Sequence, residues 1–399
     1  MKRMKIKADW FVVLAVIFLA ARTESAAMAE TPPPAANPLE ANAALVYWQA
    51  FAQLPNQLPD DGLQKMRAAL FSPTTCPVDS AVEELCKRAD ISLRALHRGA
   101  SLEKAAWALD TSAGEEVSLP HVFEANRLGK YATLRARLRF SQGQHADAVT
   151  DLLDMMRMAR HIGVDPYFAC LSEQLGMEDS ALMVAADNLM AMDQAALKKL
   201  SAGLDSLPVG GSIASVMAQK RQRIAALIKE LTTAEDKAVP EIVGSHLGSS
   251  TTKALLTATE NKRDKLTAYL NSIATLADRS AKAVAIPNQK IDLFYAEVVS
   301  INDEASKLGK DFPPVSLALA YDAVDRYLEA RVQAKAAMVQ AAIAFRLGGK
   351  DALAKVADPF GDGPFELKEG DKGLEIVSKL KIGNNPPVSL SFPSNPKNK

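Results

Sequence analysis

Apolar residues recur at helical spacing through most of this chain, and this periodicity constrains its fold more than any other feature. The clearest run lies between Ser118 and Gly143. Ser118 is predicted to cap a helix, Pro120 suits its first turn, and Gly143 is predicted to end it. The apolar positions, three or four residues apart, are Val122, Ala125, Leu128, Ala132 and Ala136. One face of this helix is therefore predicted to pack in a core.

Similar signals predict further helices on both sides of this run. Asp79-Ser80, Asp165-Pro166 and Asp193 are typical of helix starts. After Gly210-Gly211, four long segments are rich in Ala, Leu and Lys and separated by prolines. The segments are 212–236, 251–284, 288–308 and 314–347.

The spacing of apolar residues changes from helical to strand-like near the C-terminus. Residues 365–368 and 374–378 are rich in alternating or β-branched apolar side chains, and a glycine-containing turn separates them. This pattern predicts a β hairpin, to which residues 388–392 add a third strand.

These patterns predict a mainly α protein in which a helical-hairpin array is followed by a long-helix bundle and a small C-terminal β hairpin. With 48% hydrophobic and 24% charged residues, the composition is that of a globular protein. The predicted divisions are an N-terminal helical array at 39–208, a long-helix bundle at 212–348, a small β-hairpin tail at 349–392 and a disordered end at 393–399.

The first residues have the order of a secretory signal peptide. Four basic residues precede an apolar run from Trp10 to Ala21, and Ala27-Met28-Ala29 is a small-x-small cleavage site. A signal peptide is therefore predicted at 1–29, with cleavage near Ala29 and a Pro-rich spacer at 30–38. We expect a periplasmic or secreted protein.

Charge and hydropathy restrict the partners. The chain has 47 basic and 47 acidic residues, and without residues 1–29 its net charge is −3. This balance does not favour nucleic-acid binding. No later stretch reaches the roughly 20 apolar residues that span a membrane, so no stable span is expected after cleavage.

The three cysteines allow at most one disulfide. Cys76 and Cys86 lie close together in sequence, and a bridge between them would close a short loop. The alternative is that both are free thiols, as is Cys170, which falls in an apolar helical stretch. No Cys-x-x-Cys motif favours zinc or redox chemistry.

One group of side chains is a candidate acid–base site. Trp107, Asp110, Glu116 and His121 lie within one short stretch. The alternative is structural: a helix start where His121 packs on the tryptophan. No motif assigns a catalytic residue, a cofactor or a metal ligand. The methionine pairs Met156-x-Met158 and Met190-x-Met192 are interpreted as gap-filling core residues, with Cu(I) as the alternative.

Three resemblances are visible, and none implies a chemistry. Residues 131–160 resemble one tetratricopeptide unit, with a helix, a glycine turn at Gly143 and a small packing residue at Ala148. The chain as a whole resembles a group of uncharacterised secreted bacterial helical proteins. That resemblance rests on Asn42–Phe51, Trp107–Asp110, Leu119–His121, Leu134–Arg137, Ala159–His161 and Asp358–Phe365.

The last of these segments, Asp358–Phe365, also resembles the C-terminal hairpin of type II secretion major pseudopilins. The present chain departs from that family because it lacks the long methylated N-terminal helix.

Helical arrays expose extended faces that bind proteins. We therefore expect a non-catalytic interaction or scaffold role with a protein partner in the cell envelope. The alternatives are an envelope hydrolase using Asp110, Glu116 and His121, and a self-associating structural envelope protein.

Overall fold

A computed structural model of the protein describes residues 42–55, 63–311, 322–371, 373–381 and 385–394. The predicted signal peptide, the Pro-rich spacer and most of the predicted disordered end lie outside the described residues. Within them the chain is mainly α and carries one small three-stranded antiparallel sheet, so the predicted fold class is confirmed. Among the described helices, none is both long enough and apolar enough to cross a lipid bilayer.

Before the Gly210-Gly211 break, the part of the chain that the structure describes forms eight α-helices. They are α1 (Ala43–Ala52), α2 (Leu63–Phe71), α3 (Ser80–Arg88), α4 (Asp90–Ala100), α5 (Pro120–Ser141), α6 (His145–Gly163), α7 (Phe168–Leu189) and α8 (Gln194–Asp205). A short 3₁₀ helix, Thr111–Glu116, lies between α4 and α5.

After the break, the described residues form six α-helices. They are α9 (Ile213–Thr233), α10 (Val239–Leu247), α11 (Ser249–Ala258), α12 (Arg263–Val284), α13 (Ile291–Asp311) and α14 (Asp322–Leu353). The predicted segment 251–284 is therefore two helices. The chain turns at Glu260 and Asn261, which both have a φ of 55°. Pro240 does not break a helix but lies in the first turn of α10, where its missing N–H is not needed.

Local capping agrees with the sequence at some helix starts and differs at others. Asp79 and Asp193 cap α3 and α8 by accepting backbone N–H bonds. Two predictions are wrong. The residue before α5 is Leu119, so Ser118 does not cap it. Likewise α7 begins after Tyr167, and Asp165 does not cap it.

The centre of the first core is the helix α6, which contacts α4, α5, α7 and α8. Gly143, with a φ of 74°, provides the tight turn between α5 and α6. Ala148 is fully buried, and its small side chain lets helices approach closely. Helix α5 also contacts α7. His121 and Cys170, in the first turns of these two helices, lie 3.9 Å apart.

The first hydrophobic core includes residues from both sides of the predicted boundary near residue 210. Helix α14 packs on α7 and α8, and its Met338 and Ile343 belong to the first core, together with Ile213 at the start of α9. A second, smaller core lies further along the long helices. Its buried residues are Leu227, Leu231, Val239, Val243, Leu255, Leu266, Tyr269, Leu270, Ile273, Leu276, Ile301 and Ala305. The predicted boundary near residue 210 is thus crossed by a continuous core.

The C-terminal sheet consists of β1 (Glu366–Gly370), β2 (Gly373–Val377) and β3 (Ser389–Pro393), in the order β1-β2-β3. It docks on the helical body, because β3 contacts α7 and α14. The turn before the sheet is held by Asp358, which is buried. Its carboxylate accepts hydrogen bonds from the Phe360 N–H and the Ser378 hydroxyl, at 3.0 and 2.8 Å.

Candidate functional site

A layer of aromatic rings lies beneath the start of α5. The ring of Trp107 stacks on those of Tyr47 and Phe51, with centroids 5.9 and 6.3 Å apart. The indole Nε1–H donates to the backbone oxygen of His161 at 3.0 Å. On this fixed indole lies the imidazole of His121, with ring centroids 4.5 Å apart. The structural interpretation of His121, packing on the tryptophan, is therefore confirmed.

Two further side chains meet His121 at the end of the α6–α7 loop. Nε2 of His121 lies 3.9 Å from Oδ2 of Asp165 and 3.9 Å from Sγ of Cys170. All three atoms lie within 4.8 Å of one another. Imidazole, carboxylate and thiol groups thus converge on one point, although the sequence predicts no metal ligand. Among the described residues, this is the single group of three or more His, Cys, Asp or Glu side chains with that geometry.

Burial determines the protonation of this cluster. It lowers the pKa of His121 to about 4, so the imidazole is neutral at pH 7. It raises the pKa of Asp165 to about 6. Burial, assisted by the charge of Asp165, raises the pKa of Cys170 to about 12. Without a bound cation, the cluster therefore holds a neutral imidazole and a protonated thiol.

The arrangement differs from that of a cysteine–histidine–aspartate catalytic triad. In such a triad the two imidazole nitrogens face different partners, so that the ring can relay a proton. Here Nε2 faces both the thiol and the carboxylate, and Nδ1 is buried without a hydrogen-bond partner among the described residues. The geometry is that of ligands around a shared centre.

The cluster has access to a cavity of about 450 Å³. Asp165 contributes to its wall, while His121 and Cys170 are fully buried behind it. Arg223 of α9 covers the ring of Tyr167 at 4.7 Å. The remaining lining residues are Leu109, Thr111, Gly114, Pro166, Gln219, Ser245 and His246.

A second concave region lies between α4, α5 and α6, with a volume of about 710 Å³. Its base is formed by Asp151, which is buried and receives hydrogen bonds from Arg135 at 2.6 Å and Arg139 at 2.8 Å. Beside it, Nδ1 of His97 lies 2.7 Å from Oδ2 of buried Asp154. We call this region the α4–α6 groove.

Of the four candidate site residues of the sequence, two are in contact in the structure. Trp107 and His121 are brought together, but Asp110 and Glu116 are exposed while His121 is fully buried. Glu116 has a structural partner, because its carboxylate accepts from the backbone N–H of Ser249 at 2.9 Å, at the start of α11. The acid–base grouping of Asp110, Glu116 and His121 thus gains no support from the geometry.

The cysteines are free thiols in this structure. Cys76 and Cys86 are not joined, which corresponds to the second of the two sequence interpretations. The guanidinium of Arg137 lies 3.2 Å from Sγ of Cys76, and Cys86 is buried in the first core. The methionines Met156, Met158 and Met192 are buried among apolar neighbours, as expected of gap-filling residues.

Sequence reasoning missed Asp165 and Cys170 as partners of His121. Asp165 was interpreted as a helix cap and Cys170 as a core residue, since each fits a local pattern. They lie 44 and 49 residues from His121, and their meeting depends on how α5 and α7 pack. The available signal was the combination of three metal-ligand residue types at predicted helix starts.

Comparison with known proteins yields no match to a protein-family model, to a curated protein or to a solved structure.

Proposed function

We propose that the protein is a binding protein of the cell envelope that holds an acidic segment of a protein partner in the α4–α6 groove. The observation that carries the proposal is the open cavity of about 710 Å³ lined by three helices. This volume lies within the range of about 300–1,000 Å³ typical of ligand sites. The basic n-region, apolar run and Ala27-Met28-Ala29 site support export to the envelope.

Two exposed arginines of the groove favour an acidic partner. Helix α4 presents exposed Arg94 and Arg98 one turn apart, next to exposed Ile91. The whole lining holds four arginines and four aspartates, so the groove carries no net charge, and the exposed Arg94 and Arg98 are the cations that would contact an acidic segment.

Hydrogen bonds also link two walls of the groove. Asp151 is fixed by hydrogen bonds that link α5 to α6, and its partners are held at 2.6 and 2.8 Å. Fixed polar groups lower the entropy that is lost when a partner binds. Ile91, exposed beside the arginines, offers an apolar contact in addition to the charges.

Binding of labelled model peptides to the purified protein, measured by fluorescence anisotropy, tests this proposal. We expect a Glu-rich peptide to bind, a Lys-rich peptide of equal length not to bind, and the affinity to fall with added salt. The double variant Arg94→Glu/Arg98→Glu should abolish binding. The matched control, Arg221→Glu/Lys229→Glu, makes the same charge change on exposed positions of α9 and should bind like the wild type.

Crosslinking pull-down from the native envelope fraction extends the test to the natural partner. A partner captured by the wild type and the α9 control, and lost with the α4 variant, would support the groove as its binding site. Equal binding of acidic and basic peptides, or equal loss in both double variants, would overturn the proposal.

A further inference from the structure

We propose that His121, Asp165 and Cys170 form a binding site for one divalent transition-metal ion, Zn²⁺, with a fourth coordination position open to the adjacent cavity. This site is independent of the α4–α6 groove. It uses the first turns of α5 and α7 and the loop between α6 and α7.

The distances between the ligand atoms suit such an ion. Around tetrahedral Zn²⁺, with bonds of about 2.0–2.3 Å, neighbouring ligand atoms are about 3.3–3.6 Å apart. In the protein, Nε2 of His121 is 3.9 Å from Oδ2 of Asp165 and 3.9 Å from Sγ of Cys170. The third separation, between Oδ2 and Sγ, is at most 4.8 Å. Side-chain rotations that shorten these three separations by about half to about one ångström would bring the atoms onto one ion.

The chemistry of the donor set favours an ion of intermediate softness. Zn²⁺ accepts imidazole nitrogen, thiolate sulfur and carboxylate oxygen, whereas Mg²⁺ and Ca²⁺ prefer oxygen ligands alone. Binding breaks the S–H bond of Cys170 and forms an S–metal bond, and the proton leaves to solvent. One thiolate and one carboxylate then balance the charge of a divalent ion, so no net charge is buried.

The unsatisfied polar atoms point to the same conclusion. Oδ2 of Asp165 is buried and has no hydrogen-bond partner among the described residues. Such atoms are costly, because a buried acceptor without a partner loses its hydration. Coordination to a metal ion would satisfy Oδ2 and use the Nε2 lone pair of His121, which faces the same point.

The site has a route of access. Asp165 is partly exposed and lines the cavity of about 450 Å³, although its Oδ2 is buried, so rotation of this side chain would open the cluster to an ion from that side. The same opening leaves room for water as a fourth ligand. Trp107 and its aromatic neighbours close the opposite side, because the indole lies flat on the imidazole.

The test is titration of the metal-free purified protein with Co²⁺, which occupies zinc sites and absorbs visible light. We expect one equivalent to produce the intense visible absorption of four-coordinate cobalt and a sulfur-to-cobalt charge-transfer band, both abolished by Zn²⁺. Cys170→Ser should lose the charge-transfer band. Asp165→Asn should weaken binding by about tenfold or more, since even partners outside the coordination shell contribute that much.

Two controls keep the result interpretable. Cys86→Ser removes another buried thiol, outside the cluster, and should retain the charge-transfer band. In case the substitution at Cys170 prevents folding, Trp10→Phe/Trp48→Phe leaves Trp107 as the single tryptophan of the sequence, and bound Co²⁺ should quench its fluorescence because the indole contacts His121. Absence of the band in the wild type, its persistence in Cys170→Ser, or unquenched Trp107 fluorescence at saturating Co²⁺ would overturn the proposal.

Discussion

The imidazole of His121 lies nearly parallel to the indole of Trp107, with ring centroids 4.5 Å apart and planes inclined by 25°. The indole is itself fixed, because its Nε1–H donates to the backbone oxygen of His161 at the end of α6. Trp107 is therefore a positioning residue, which sets the orientation of His121 against Asp165 and Cys170.

Removal of the Trp107 side chain should strongly lower the free energy of unfolding. Trp107→Ala deletes a buried ring that contacts several aromatic side chains, and we expect a loss of about 3–5 kcal/mol in the free energy of unfolding. The matched control is Trp48→Ala, because Trp48 is 38% exposed and contacts Trp107 by its edge. Urea denaturation followed by circular dichroism measures both, and equal losses in the two variants would contradict this account.

The Asp151 carboxylate in the α4–α6 groove should contribute strongly to the stability of the folded protein. Asp151→Ala leaves Arg135 and Arg139 partly buried without their shared counter-charge, so we expect a destabilisation of about 3–5 kcal/mol. The control Glu260→Gln breaks an exposed pair with Lys262 and should leave the melting temperature unchanged. Thermal unfolding gives the melting temperature of both variants. An unaltered melting temperature in Asp151→Ala would show that the ion pairs of Asp151 with Arg135 and Arg139 do not stabilise the fold.

Burial of His161 should make stability depend on pH. Burial lowers the pKa of its imidazole below the usual value, an effect that the Glu103 backbone oxygen partly opposes and the charge of Arg157 reinforces. The unfolded chain therefore binds the proton more readily, and the stability that is complete above about pH 6.5 is lost as the pH falls. Relative to His161→Gln, the wild type should lose stability between about pH 7 and about pH 5.

The variant Tyr47→Phe separates the effect of burial on the pKa of His161 from the effect of the hydrogen bond with the Tyr47 hydroxyl. The Tyr47 hydroxyl lies 2.9 Å from Nδ1 of His161, but burial is the main reason for the lowered pKa. Tyr47→Phe should consequently keep the acid-dependent loss. A difference curve between the wild type and His161→Gln that is flat over this pH range would refute the prediction.

The hydrogen bonds of Asp358 should stabilise the C-terminal sheet. Asp358→Ala removes the buried acceptor of the Phe360 N–H and the Ser378 hydroxyl, at a cost of about 1–3 kcal/mol for each group left unsatisfied. Hydrogen exchange should then accelerate in β1 and β2 while α7 stays protected. Asp362→Ala, an exposed position in the same turn, is the control, and equal exchange in both variants would argue against the anchoring role.

The fold class could be predicted because helical and strand periodicities are local properties. Pro120 at the first turn of α5, Gly143 at the turn after it and the third strand near Leu390 all follow from nearby residues. The joining of α14 to the first core could not be predicted, since it depends on contacts between residues far apart in the chain.

The candidate site likewise depends on contacts between residues far apart in the chain, which local patterns do not predict. His121 was identifiable as one of few histidines beside a tryptophan, and its packing on Trp107 followed from the local pattern. Asp165 and Cys170 each satisfied a simpler local interpretation. Their convergence required the contact between α5 and α7, which no pattern of spacing encodes.

X-ray absorption spectroscopy at the zinc edge, on protein loaded with one equivalent of Zn²⁺, tests the proposed metal site most directly. The account predicts one sulfur at about 2.3 Å together with nitrogen and oxygen neighbours at about 2.0–2.2 Å, and loss of the sulfur in Cys170→Ser. A coordination shell of oxygen and nitrogen alone in the wild type would contradict it.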